Sequence, residues 1–246
     1  MKQAESDSGP ANTPQGQCWR RRAKAAMLAA MTEDLPLDEL RPRLVAAMLP
    51  NVPFDGWSAT ARDMAADAEG IDRDIAAMAL PDAATMVDAY TQLADAQMTA
   101  AMQAAGVNTM KIRDRIRLAL TTRLDAAAPD REAVRRALNV LLLPANAPLA
   151  TSTLWRTADA MWRAAGDTAT DINHYSKRVI LGGVYSATLL YWLDDDSENH
   201  EATRAFIDRR IDGVMRFEKA KAQLKKSFGW VPDPARFLGR LRYPVS

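Results

Sequence analysis

Apolar residues recur every three or four positions along most of the chain, and proline or glycine interrupts each run. Two of the clearest runs are Leu40, Leu44, Ala47, Met48 and Ile112, Ile116, Leu120, Leu124. This spacing places apolar side chains on one face of an α-helix. Alanine is in great excess, and runs of β-branched or aromatic residues are few. The sequence therefore predicts an all-α protein.

Proline, glycine and capping residues predict where these helices begin and end. Ser58 is a favourable N-cap for a helix that ends near Gly70. We expect Asn108 or Thr109 to cap the helix that contains Ile112, and residues 51–56 to form a loop. The other expected helices span about 37–49, 72–79, 81–105, 129–143, 171–193 and 201–226.

Three further expectations concern the second half of the chain. Thr151 or Ser152 is expected to start a helix that ends at Gly166 and carries Trp155 and Trp162 on one face. The pair of glycines at 182 and 183 would let a neighbouring helix approach closely. The last helix is expected to turn four side chains inward: Ile207, Ile211, Val214 and Met215.

The composition argues against a metal centre and against catalysis. Cys18 is the one cysteine, and the two histidines are His174 and His200. Disulfides and Cys- or His-rich metal sites are therefore not expected. Neither histidine follows a glutamate by three residues, as di-iron sites require. The sequence also shows no nucleophile elbow and no glycine-rich phosphate loop. We expect no cofactor, no metal and no catalytic residue.

The net charge of +1 conceals an asymmetry. From Arg216 onward, eight basic residues stand against Glu218 and Asp233, so the preceding residues carry −5. No stretch of eighteen apolar residues and no hydrophobic signal core is apparent. These features predict a cytoplasmic-type compartment and an anionic surface as the partner of the basic tail.

Apolar and basic side chains mix in that tail, which is typical of a segment at a membrane interface. The pattern predicts peripheral contact with an anionic membrane. The alternative is an arm packed on the body, since Pro232 and Pro234 divide the tail into short pieces. The residues expected at the membrane are Phe228, Trp230, Arg236, Phe237, Leu238, Arg240 and Leu241.

Three short predicted helices near the N-terminus, with a tight turn at Glu69-Gly70-Ile71, resemble the helix-turn-helix head of TetR-type regulators. Phosphate contacts require lysine or arginine on the surface that faces the duplex. Between Gly56 and Tyr90, two basic residues stand against seven acidic ones. We therefore expect this head to repel nucleic acid. The charges are Arg62 and Arg73 against Asp63, Asp67, Glu69, Asp72, Asp74, Asp82 and Asp88.

A longer match lies at residues 161–178, which read Met-Trp-Arg-Ala-Ala-Gly-Asp-Thr-Ala-Thr-Asp-Ile-Asn-His-Tyr-Ser-Lys-Arg. This segment resembles the signature of the ubiquinone-biosynthesis accessory family named for the ninth coenzyme Q protein. That family has a tryptophan before Ala-Gly-Asp and then Thr-Asp-aromatic-Asn-x-Tyr-x-Lys-Arg. The similarity extends over about 34–226. Ile172 stands where the family usually has an aromatic residue, and His174 where some members have tryptophan.

The resemblance implies an all-α, TetR-like helical bundle with a helix-turn-helix-like head and a larger C-terminal lipid-binding domain. Within that bundle the head spans 34–80 and the lipid-binding domain 81–226. Outside the matched region, the composition predicts a disordered leader at 1–33 and a basic, aromatic tail at 227–246. Members of the family bind isoprenoid lipids in an apolar cavity, associate peripherally with membranes and dock the demethoxyubiquinone hydroxylase. They have no known chemistry of their own. A homodimer is also expected.

Two sets of residues are predicted to carry these roles. The first set would line a cavity for an isoprenoid lipid or ubiquinone precursor, or else belong to an ordinary core: Trp155, Met161, Trp162, Tyr185, Leu189, Trp192 and Met215. The second set would contact the hydroxylase: Asp167, Asp171, Ile172, His174, Tyr175 and Arg178.

Each member of the docking set has a simpler alternative. Asp167 and Asp171 would instead cap a helix. His174 and Tyr175 would instead pack in the core, although aromatic residues anchor interfaces well. Lys177 and Arg178 are either rim charges of the contact or solubilising surface charges.

Two other functions compete with the lipid-binding role. A TetR-type transcriptional regulator with a small-molecule pocket would bind duplex DNA in a salt-dependent way. A dimeric helical scaffold would carry no ligand at all.

Overall fold

The computed structural model describes residues 35–168 and 172–227, without the side chains of 172, 173 and 217–227. These residues form ten α-helices and contain no β-strand, which confirms the predicted fold class. The helices are α1 Leu37–Met48, α2 Val52–Asp55, α3 Ala59–Glu69, α4 Arg73–Ala79, α5 Ala83–Ala104, α6 Ile112–Ala127, α7 Arg131–Leu141, α8 Ala147–Ala164, α9 Ile172–Leu193 and α10 Glu201–Ser227.

Capping side chains set several of these boundaries as predicted. The Ser58 hydroxyl accepts a hydrogen bond from the Ala61 amide at 3.3 Å. At the other end of α3, Gly70 takes the left-handed conformation with φ of 67°. The carboxylate of Asp82 accepts from the Thr85 amide at 2.7 Å at the start of α5. Each cap satisfies a backbone group that has no partner within the helix.

Two predicted helix starts are wrong. Helix α8 begins at Ala147, and the Thr151 hydroxyl donates back to the Ala147 carbonyl at 2.9 Å inside the helix. Pro148 marks the true start, because proline is favoured in the first helical turn. Helix α6 has Lys111 as its N-cap residue, without a side-chain cap. Asn108 lies in a preceding 3-10 turn at Val107–Thr109, as does Thr109.

Residues 52–55 form a short helix, α2, where the sequence predicts a loop. Pro53 occupies its first turn. The Pro53 carbonyl accepts from the Arg136 guanidinium at 2.7 Å. The indole of Trp57 donates to the Ala133 carbonyl at 3.1 Å. These bonds fasten the segment to α7, and its stability therefore depends on tertiary contacts that local pattern does not reveal.

The chain divides into two compact units, Met1–Gly182 and Gly183–Ser246, and α9 crosses the division. In the first unit, α1 packs on α3 and α5, and α5 packs on α6 and α8. A Cβ at Gly182 would lie 3.5 Å from the Leu154 side chain of α8, an ordinary contact distance, and a Cβ at Gly183 would have no described atom within 4 Å. The close approach predicted from this pair of glycines is therefore wrong, because alanine would fit at either position. The four predicted segments at 1–33, 34–80, 81–226 and 227–246 stay predictions.

In the second unit, the buried carboxylate of Asp195 organises the start of α10. It accepts hydrogen bonds from the Ser197 amide at 2.9 Å and the Thr203 amide at 2.8 Å. Helix α10 buries Ile207 and Ile211 as predicted. Met215 is instead 42% exposed, which corrects its predicted inward position. Met215 follows Ile211 by four residues and so lies on the same side of α10, but its exposure shows that this later turn of the helix is only partly covered.

No single helix among the described residues has the length and hydropathy needed to cross a membrane. Residues 112–141 and 144–164 pass such a test as a pair, with a bend of 90° between them.

Candidate functional site

Three aromatic rings gather where the middle of α8, at Trp155, lies beside the first turn of α9. The ring centroid of Trp155 lies 5.9 Å from that of Tyr175 and 6.4 Å from that of His174. His174 and Tyr175 meet edge to face at 5.2 Å. Tyr175 is 60% exposed. The sequence prediction for these two residues named either a docking surface or a core, and the exposure of Tyr175 agrees with a surface.

Beneath these rings lies a buried arginine. Arg178 is 2% exposed, and its Nε donates to Asp159 Oδ1 at 2.5 Å. Its Nη1 donates to Asp167 Oδ2 at 3.3 Å and to the His174 carbonyl at 3.0 Å. The expectation that Arg178 is a rim charge or a solubilising surface charge is therefore corrected. An arginine can be buried here because two carboxylates balance its charge.

Asp167 joins two cations of α9. Its Oδ1 accepts from Lys177 Nζ at 2.6 Å, and its side chain is 7% exposed. Burial raises the pKa of the Asp167 carboxyl, but hydrogen bonds and charge from Lys177 and Arg178 outweigh burial and hold that pKa below its ordinary value. Asp167 is therefore a buried, charged anchor of the corner, by which we mean the junction between residues 155–167, in the second half of α8 and the turn after it, and residues 174–178 at the start of α9. Its predicted contact with a partner stays a prediction.

The turn between α8 and Asp167 is a Schellman motif, in which two amides beyond the helix bond to its last carbonyls. The Asp167 amide donates to the Trp162 carbonyl, and the Gly166 amide donates to the Arg163 carbonyl, both at 2.9 Å. Gly166 has φ of 85°, which favours glycine. The Arg115 guanidinium donates to the Ala165 carbonyl at 2.8 Å. These bonds fix where the Asp167 carboxylate points.

Trp162 ties α8 to α9 a second time. Its indole donates to the Lys177 carbonyl at 3.0 Å. The Lys177 ammonium lies 5.2 Å from the centre of the same indole ring, within cation–π range. Trp162 is half-buried, and its polar and aromatic atoms are both used in this corner. Its predicted role in lining a lipid cavity is not tested by these contacts.

The other predicted lipid contacts differ in burial. Met161 and Trp192 are fully buried, and Tyr185 is nearly so. Trp155 and Leu189 are half-buried, while Met215 is exposed as described above. Lining of a cavity stays a prediction for all seven residues. The set falls in both units, with Trp155, Met161 and Trp162 in the first and Tyr185, Leu189, Trp192 and Met215 in the second.

Several predicted site residues are not among the residues that the structure describes. Asp171 is one of them, and of Ile172 the backbone alone is described. The predicted membrane residues also lie outside the described residues: Phe228, Trp230, Arg236, Phe237, Leu238, Arg240 and Leu241. Their predicted roles stay predictions.

Sequence reasoning missed two acidic residues that structure the first unit. Asp159 binds both Arg178 and Arg163, the latter at 2.7 Å. The spacing of Asp159 and Arg163 by four residues was an available signal. Asp95 is buried between α5, α6 and α8, where it pairs with Arg123 at 3.0 Å. Burial raises the pKa of Asp95, and Arg123 offsets part of that effect. No local pattern identifies this pair, because 28 residues separate its members.

The arginines of the N-terminal helices are paired with carboxylates. Between residues 35 and 82, four arginines stand against nine acidic residues. The four ion pairs, each 2.6–2.9 Å long, are Arg41–Asp38, Arg43–Glu69, Arg62–Asp63 and Arg73–Asp67. An arginine paired with a carboxylate adds no net positive charge with which this surface could attract DNA phosphates.

Metal-ligating side chains do not cluster in the part of the chain that the structure describes. No group of three His, Cys, Asp or Glu residues there could hold a metal ion.

Comparison with known proteins identifies relatives over most of the chain. Residues 147–218 match the model of the COQ9 family. The rat "Ubiquinone biosynthesis protein COQ9, mitochondrial" is 32% identical over 197 residues, which cover 77% of this chain and 63% of the rat protein. The human protein of the same name is 30% identical over 197 residues, covering 77% and 62%. The chain thus spans slightly less than two thirds of the length of these relatives.

A TetR transcriptional regulator from Nitrosomonas europaea has a similar solved structure. It superposes with a TM-score of 0.57 at 21% sequence identity, over 71% of this chain and 97% of the regulator. This similarity confirms the TetR-like fold that the helix-turn-helix pattern predicts. At such low identity, the similarity concerns the fold alone.

Proposed function

Because the chain belongs to the COQ9 family, we propose that it is a non-catalytic, lipid-binding accessory protein of ubiquinone biosynthesis. In this role it binds a polyprenyl quinone precursor and presents it to the demethoxyubiquinone hydroxylase. The observation that carries the proposal is the exposed aromatic corner around Tyr175, which lies inside the family-matched segment 147–218.

The aromatic corner is suited to a protein partner. Tyr175 offers a large ring to solvent, and the rings of Trp155 and His174 support it from the side. Aromatic residues of this kind supply most of the binding energy at many interfaces. The ion pairs of Arg178 and Lys177 hold the backbone beneath the rings. A rigid anchor loses less conformational entropy on binding.

Lipid binding addresses a physical problem of the pathway. Each CH₂ group of a polyprenyl tail exposed to water costs about 0.8 kcal/mol. An enzyme that works on the quinone ring needs the ring outside the bilayer and the tail shielded. Methionine-rich helical interiors adapt well to flexible chains, and Met86, Met98, Met102 and Met161 are fully or almost fully buried in the first unit.

We also propose that the protein is a homodimer whose tail contacts the anionic surface of the membrane that holds the quinone. The names of the rat and human relatives place them in mitochondria. Liposome flotation of the full chain and of a chain cut after Lys226 tests the tail. We expect the full chain to float with anionic vesicles and the shorter chain to float less. Equal flotation would contradict membrane binding by the tail.

Removal of the gene from its own organism tests the biosynthetic role. We expect ubiquinone to fall and the demethoxy precursor to accumulate, because the hydroxylase lacks its presented substrate. Restoring the wild-type gene should restore ubiquinone. Unchanged quinone levels in the deletion strain would contradict the proposal.

A further inference from the structure

We infer that Arg178 is a positioning residue, which holds the first turns of α9 in the orientation that exposes His174 and Tyr175. The inference rests on the proposed docking function. It assigns an indirect role to a buried side chain. Arg178 is 2% exposed, so a docking partner cannot contact it directly.

Arg178 bonds to two other segments of the corner and to the preceding turn of its own helix. Its partners are the Asp159 carboxylate of α8, the Asp167 carboxylate of the connection and the backbone carbonyl of His174. The last contact reaches the first turn of α9 directly, one residue before Tyr175. One guanidinium therefore sets the position of α9 relative to both α8 and the Schellman turn.

The geometry requires an arginine. Its planar guanidinium presents five N–H donors in fixed directions, so that Nε and Nη1 can address acceptors on different segments. A lysine carries its charge on one ammonium nitrogen. At this position a lysine could keep a salt bridge to one carboxylate, but it could not also reach the other carboxylate and the His174 carbonyl.

The two carboxylates each have a second, outer cation. Asp159 also binds Arg163, which is 71% exposed, and Asp167 also binds Lys177. Arg163 shares Asp159 with Arg178 but lies on the solvent side. An exposed pair of this kind contributes at most about 1 kcal/mol to stability. Arg163 is therefore a matched control for Arg178, with the same side chain and the same carboxylate.

The test compares three variants of the full chain: Arg178→Lys, Arg163→Lys and Tyr175→Ala. Affinity for the demethoxyubiquinone hydroxylase of the same organism is measured by calorimetry. Hydrogen exchange of the backbone amides of 176–180 is measured on the free protein, as a readout of the start of α9 that does not depend on the partner.

For Arg178→Lys we expect amide exchange at 176–180 to be at least tenfold faster and the affinity for the hydroxylase to be at least tenfold weaker. For Arg163→Lys both quantities should stay within twofold of wild type. Tyr175→Ala should weaken binding at least tenfold and leave exchange at 176–180 unchanged, because it removes an anchor and not the support beneath it.

The outcomes separate the two claims. If Tyr175→Ala weakens binding while Arg178→Lys changes neither binding nor exchange, the positioning role of Arg178 is refuted and the docking function stands. If Tyr175→Ala binds as wild type, the docking surface itself is refuted. Should Arg178→Lys fail to fold, Asp167→Asn removes one anchor of the same guanidinium. Exchange at 176–180 must then rise in that variant, and unchanged exchange refutes the inference.

Discussion

Two residues of α9 that lie one helical turn apart have opposite environments. Tyr175 is mostly exposed, and Arg178, three residues later, is buried. An arginine in the interior reverses the usual preference of that residue type, whereas tyrosine has an intermediate preference. The reversal has a physical reason at Arg178, where two carboxylates and a carbonyl satisfy the guanidinium. At Tyr175 the proposed hydroxylase would supply the missing cover.

The first prediction concerns that exposed surface. Replacing His174 and Tyr175 together by aspartate should abolish binding of the hydroxylase, because charge replaces the aromatic anchors. Each anchor contributes on the order of 2 kcal/mol. Circular dichroism and thermal unfolding should remain close to wild type. Pull-down with purified hydroxylase checks the loss, and undiminished binding would contradict a docking role for these residues.

The second prediction concerns Asp195, whose pKa lies below its ordinary value of 3.8 in the folded protein. Burial raises that pKa, and hydrogen bonds from Ser197 and Thr203 lower it by more. The carboxylate therefore stabilises the fold above pH 3.8, and this stabilisation is lost as the pH falls through the folded-state pKa.

Asp195→Asn should accordingly lower the free energy of unfolding by about 1–2 kcal/mol at pH 7. The difference between wild type and variant should shrink as the pH falls below 3.8. Urea unfolding at a series of pH values measures both. A difference that is independent of pH would show that the charge of Asp195 does not contribute.

At the scale of helices, local signals located most of the boundaries. The sequence identifies Ser58 and Gly70 as helix-end residues, because caps act within four residues of the helix they bound. The start of α8 was missed because Thr151 and Ser152 are favourable caps by type. Both hydroxyls instead donate to carbonyls of the same helix. Residue type alone does not distinguish these two uses of a hydroxyl.

The site was less predictable than the helices. The residues of the aromatic corner were identified through the resemblance to the family. The burial of Arg178 was not, because its carboxylate partners lie 19 and 11 residues away. Which side of α9 faces α8 depends on tertiary packing, which local sequence does not reveal. A charged residue without a nearby partner in the sequence is therefore ordinarily predicted to lie at the surface.

The third prediction concerns the Schellman turn after α8, which sets the direction of the Asp167 carboxylate. Gly166→Ala should destabilise the protein by about 2 kcal/mol, since φ of 85° is strained for alanine and the new Cβ would lie 3.0 Å from Arg115 Nη1. Arg115 cannot move away freely, because its guanidinium also donates to the carbonyls of Met110 and Asn108.

Gly70→Ala is the matched control, with φ of 67° and nothing described within 4 Å of the added Cβ. It should cost about 1 kcal/mol, for backbone strain alone. Chemical unfolding of both variants gives the comparison. Equal losses of stability would show that the contact with Arg115 has no energetic consequence.

At the scale of the whole molecule, a fold shared with transcriptional regulators is combined with a surface unsuited to DNA. The helices that correspond to the helix-turn-helix carry an excess of carboxylates, and their arginines are engaged in ion pairs. Attraction to DNA phosphates requires free positive charge. We propose that this fold serves here without the DNA binding of the regulators, since one fold commonly hosts unrelated functions.

The fourth prediction follows from these charges. The full chain should show no sequence-specific binding to duplex DNA in fluorescence anisotropy with excess non-specific competitor DNA, which occupies the basic tail but not a specific head. A basic regulator of similar fold, on its own operator, serves as the positive control. Competitor-resistant binding to a defined sequence would favour the transcriptional regulator over the accessory protein.

The central claim is that the protein carries an isoprenoid lipid. The most direct measurement is organic extraction of the full chain purified from its own organism without detergent, followed by mass spectrometry of the extract. The account predicts a polyprenylated quinone or quinone precursor in a fixed ratio to protein, absent from an unrelated protein purified in parallel. Protein that is consistently free of lipid in this measurement would contradict the account.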